Sequence, residues 1–104
     1  AVVYKISQWA EIKPPEITED GHEITYATKD KISFTYPALK TLPYICHEMS
    51  HVINYNSQYA DHHGKYFTTV YLSVVKQFIG LTAYRELQEA FDRTKVIYLT
   101  SVPS

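Results

Sequence analysis

His47-Glu48-Met49-Ser50-His51 holds two imidazoles four residues apart, with a carboxylate directly after the first. On an α-helix, positions i and i+4 lie about 40° apart around the axis and about 6 Å along it. Both histidines therefore leave one face and can share a metal ion at about 2.0–2.1 Å, the bond length of zinc to imidazole nitrogen. Glu48 then falls beside the ion without binding it, where it can take a proton from a metal-activated water and hand it to a leaving group. This composition and length yield the HExxH pattern by chance only about 0.016 times.

A catalytic zinc commonly takes three protein ligands and keeps one position open, so a further donor is needed. A metzincin-type continuation requires Gly at position 54 and His at 57, which are Asn54 and Ser57. No glutamate occurs between Glu48 and Glu86, which excludes a glutamate ligand on the next helix. The chain offers Asp61-His62-His63-Gly64 instead, after a stretch long enough to finish a helix, turn and return. His63, His62 and Asp61 are the competing donors; Asp61 would otherwise accept a hydrogen bond from a ligand imidazole or cap the following helix. Gly64 is expected where backbone approaches closely or takes an unusual φ. Cys46 lies about 100° around the helix from His47 and reads as a small buried thiol. His22, beside a turn, reads as solvated. The oxyanion of a scissile carbonyl needs a donor, for which Tyr59 and Tyr66 are nearest in sequence and Tyr98 can return on a last strand.

The elements that must position these residues follow from periodicity. Val2, Tyr4 and Ile6 alternate with Val3, Lys5 and Ser7, predicting a strand over Ala1–Trp9 that Pro14-Pro15 stops. Asp20-Gly21 marks a turn. Ile24–Tyr26 and Ile32–Tyr36 then alternate around a polar turn at Thr28–Lys31, predicting a β-hairpin that Pro37 ends. Leu42, Ile45, Met49, Val52 and Ile53 take helical spacing, with Thr41 as N-cap and Pro43 in the first turn. Phe67, Val70, Tyr71, Val74 and Phe78 form a second helical stripe ended by Gly80 as C-cap. Thr82 is placed to cap a third helix carrying Tyr84, Leu87 and Phe91, and Val96–Leu99 reads as a short last strand. Strands followed by helices predict a small α+β domain, an antiparallel sheet packed on two or three helices. Lys31–Tyr36, the strand nearest the metal helix, is expected to be exposed, with Ser33 and Thr35 outward, so that an extended peptide pairs with its backbone.

At 104 residues a single domain spanning 1–104 is expected. Ten Lys+Arg against eleven Asp+Glu, only two of them arginine, leave no basic cluster to track phosphates, so strong direct nucleic-acid binding is not expected. No apolar run approaches the ~20 residues of a membrane span, and no leader pattern opens the chain. The single cysteine excludes an internal disulfide and suits a reducing compartment, so a cytoplasmic location is expected.

HExxH followed, after a short polar stretch, by His-Gly-x-x-Phe resembles the SprT-like (Spartan-type) zinc metalloproteases. It is still more similar to the short metallohydrolase-like proteins often carried by phages and bacteria. The matching residues are His47 to His51, then His63-Gly64-Lys65-Tyr66-Phe67, with Tyr71-Leu72 and Gly80 spaced as in that group. The resemblance runs from Tyr44 to Phe91. It implies a minimal zincin-like domain, with zinc held by His47, His51 and His63 and peptide hydrolysis through Glu48 as general base. The expected partner is a flexible or unfolded polypeptide. The alternatives are a binding module that keeps zinc as a staple, or a zinc hydrolase of a non-peptide bond.

Overall fold

A computed structural model of the chain describes residues 2–19, 24–35, 41–58, 60, 61 and 63–99. The expected turn at Asp20-Gly21 and the positions of His22, Tyr36, Pro37, Tyr59 and His62 lie outside the described residues. Four helices and a three-stranded sheet follow in the order α1 (Val2–Ala10), β1 (Glu16–Thr18), β2 (Tyr26–Ala27), β3 (Lys31–Ser33), α2 (Leu42–Tyr55), α3 (Lys65–Phe78) and α4 (Leu81–Arg93). The class is α+β, as expected.

The first element is a helix, not the expected strand. Val2, Val3 and Ile6 share one helical face and pack into the core, whereas Tyr4, which an alternating strand would bury with Val2 and Ile6, is 55% exposed. The helix ends at Glu11, in the left-handed region at φ 57°. There the Glu11 amide donates to the Gln8 carbonyl (3.2 Å) and the Ile12 amide to the Ser7 carbonyl (3.0 Å), the paired bonds that close a helix C-terminus.

The sheet also differs from expectation. β1 pairs parallel with β3 (Glu16 with Lys31, Thr18 with Ser33), and β2 pairs antiparallel with it (Tyr26 with Ser33, Ala27 with Ile32). The strand order is β1-β3-β2, so the sheet is mixed and β3 is its middle strand. The hairpin partner of β3 was legible, but the parallel partner was not. Lys31–Ser33 is therefore closed to a substrate backbone on both sides. Ser33, expected to face outward, is buried between Ile32 and Phe34.

α2 lies against β2, β3, α1 and α3, and α4 packs on α3. Ile6, Ile32, Phe34, Met49, Val52, Val70 and Val74 form the centre of the core. Thr41 is the N-cap of α2 with extended backbone, but its hydroxyl makes no capping bond; Pro43 sits in the first turn as expected. Gly80 stands one residue past the C-cap Ile79 and at the same time caps α4 at φ 135°, so Thr82 is inside that helix rather than ahead of it. Val96–Leu99 is not a strand. Lys95 at φ 58° turns the chain back beyond α4, and the Leu99 amide is held by the Thr69 hydroxyl at 2.7 Å. Among the described residues no helix is long and apolar enough to cross a membrane.

Candidate metal centre

α2 carries two of the predicted residues on its inner face because His47 and His51 are one turn apart there, their ring centroids 5.0 Å from each other. His51 is buried, His47 half-buried. The chain then leaves α2 at Asn56 and re-enters helix at Lys65, and that link carries His63 back over both rings, at 4.6 Å from His51 and 6.1 Å from His47. One ligand atom from each of the three histidines lies within 4.8 Å of the others, close enough for three imidazoles to hold one metal ion. Cys46 and Asp61 do not join this group.

Burial holds the His47 imidazole below its usual pKa, and the neighbouring His63 lowers it further. Both causes favour the neutral ring, the form that binds metal. Glu48 is 6% exposed, with its Oε2 3.9 Å from His47 Nε2. Burial pushes its carboxyl up to about 7 in the metal-free chain; a cation beside it draws the value down again. Cys46 is a buried thiol, as expected, pushed up to about 11 by the same loss of water.

Asp61 caps the following helix rather than supporting an imidazole. Its Oδ2 accepts from the Tyr66 amide and its Oδ1 from the Phe67 amide, each at 3.0 Å. Gly64 is required by close approach, not by φ, which is an ordinary −84°. A Cβ there would overlap Asp61 Oδ2 and stand 2.9 Å from its Cγ.

Of the tyrosines considered as oxyanion donors, Tyr66 is buried in the core and the Tyr98 hydroxyl donates to Asp92 at 2.8 Å. The structure brings Tyr71 to the site instead, its ring edge-on to His47 at 5.2 Å. Burial raises its phenol pKa, with Cys46 adding to the effect. Phe67, expected only as core, touches all three histidines: stacked on His51 at 4.2 Å, edge-on to His63 at 5.0 Å and to His47 at 5.4 Å. The spacing held the signal for both, since Phe67 and Tyr71 follow His63 by four and eight residues and so repeat along one helix face.

Compared with protein-family models, with curated proteins and with solved structures, the chain finds no match.

Proposed function

We propose that the protein is a zinc-dependent metallopeptidase of the SprT-like kind, cytoplasmic, acting on flexible or unfolded polypeptides. The observation that carries this reading is the convergence of His47, His51 and His63 beside the buried Glu48 carboxylate. Three imidazoles form a donor set that suits zinc. When bound, zinc supplies Lewis acidity and lowers the pKa of water to about 7. Glu48 takes the proton of the attacking water and delivers it to the leaving amine. His47 and His51 are held in register by the helix, and Phe67 lies against all three rings.

The test is zinc content together with cleavage of an unstructured polypeptide. The purified chain is expected to hold about one zinc, and a chelator is expected to stop cleavage, with added zinc restoring it. Well under half an equivalent of metal overturns the metal site. Full metal with no cleavage overturns the peptidase reading and leaves the structural staple.

A further inference from the structure

His63 is the exposed member of the metal group and sits on the link between two helices, where its ring meets Phe67 edge-on at 5.0 Å. Its place also depends on how the main chain on either side is held. Two positions before it, Asp61 is tied to α2. The wholly buried Asn54, one turn beyond His51, donates through Nδ2 to the Asp61 carbonyl and accepts the Asp61 amide at Oδ1 (3.3 Å). The Asp61 carboxylate in turn holds the amides of Tyr66 and Phe67 at the start of α3. Asp61 is thus fastened both to the helix that carries His47 and His51 and to the helix that follows it. Gly64 lets the two fastenings lie this close, because any side chain there meets the Asp61 carboxylate.

A helix cap alone would need only Asp61. Asn54 adds what a cap does not require: a two-point tie between the link's main chain and the helix bearing the other two ligands. We propose that Asn54, Asp61 and Gly64 form a clasp that positions His63 for metal binding, acting on the metal through the backbone rather than by touching it. The clasp rests on the metal site proposed above. Its consequence is that these three residues control affinity although none has an atom among the ligands. Partners that orient metal ligands commonly govern affinity by about 10–100-fold, and a loss of that size is expected for Asp61→Ala and for Asn54→Ala.

The experiment is a Co²⁺ titration of the full chain followed by visible absorption, repeated in a His63→Ala background, with thermal unfolding in chelator as a parallel readout. Asp61→Ala is expected to weaken Co²⁺ binding about 10–100-fold in the parent and to change it by less than about twofold once His63 is gone, because no third ligand remains to be placed. An equal loss in both backgrounds overturns the clasp and leaves Asp61 as a helix cap only. Unchanged affinity in the parent overturns it as well. Should Asp61→Ala fail to fold, Gly64→Ala, which adds one methyl against the same carboxylate, is expected to show the same dependence on His63. A parent chain that gives no Co²⁺ absorption at all removes the metal site, and the clasp with it, which is a different result from a loss independent of His63.

Discussion

Helices α2 and α4 differ by one residue in length, 14 against 13, yet seven residues of α2 are buried and none of α4. The buried set of α2 includes Glu48, Ser50, His51 and Asn54, polar groups that burial penalises unless they are bonded or put to use. Ser50 answers by donating to the Cys46 carbonyl at 2.6 Å, and Asn54 by gripping Asp61. α4 packs on α3, where the Lys76 ammonium lies 5.0 Å from the centre of the Tyr84 ring, and leaves Leu81 49% exposed. The proposed chemistry, which needs fixed geometry, is thus concentrated in the α2–α3 pair, while α4 serves as a brace.

The sharpest break of that contrast is Glu48→Gln. The change keeps size and helix preference but removes the base, so zinc content and fold are expected to persist while cleavage falls by about 10²–10⁴ or more. A variant as active as the parent removes Glu48 from the chemistry. Next in size, Met49→Ala empties a fully buried position in α2 and is expected to cost about 2–5 kcal/mol in denaturant unfolding. A cost under about 1 kcal/mol would mean that the core beneath the site is not tightly packed.

Cys46 sharpens the contrast through pH. Its folded value, about 11, lies above the ordinary 9.0, so the protonated thiol contributes stability that is complete below about pH 9 and is lost as pH climbs toward 11. In chelator, the melting temperature of the parent is expected to fall more steeply over that range than that of Cys46→Ala; parallel curves refute the assignment. The smallest effect belongs to the brace: Leu81→Ala on α4 is expected to change stability by no more than about 0.5 kcal/mol. A loss comparable to Met49→Ala would show that α4 belongs to the core unit after all.

What the sequence disclosed tracks how strongly each segment commits to one period. α2 and α3 repeat apolar residues at helical spacing over four turns, and HExxH adds a constraint that only a helix satisfies, so both were legible. The expected strand Ala1–Trp9 is only nine residues, and Val2 and Ile6, with Ala10 just beyond, fit a helix as well as Val2, Tyr4 and Ile6 fit a strand. Which pattern wins depends on what α2 offers as a partner, and that is tertiary information. β1 escaped notice because Glu16-Ile17-Thr18 is too short for any period and follows two prolines. Missing β1 made the middle strand β3 read as an exposed one, and its pairing with β3 removes the expected peptide-binding edge. Val96–Leu99 has strand composition, but Lys95 folds it back toward α3, where the Leu99 amide meets a hydroxyl instead of another strand. In the site, the HExxH spacing marked His47 and His51 and residue types left His63, His62 and Asp61 as candidates, whereas the part played by Asn54 required the folded arrangement.

The fit between Asp61 and Gly64 has a consequence for how sequence variation accumulates at this site. With aspartate at 61, position 64 admits a Cβ only by displacing a carboxylate that holds two amides. Glycine at 64 sets no such limit on 61, but a shortened 61 loses its hold on α3. The dependence therefore runs one way: variation at 64 has to wait for a change at 61, and a change at 61 need not wait for 64.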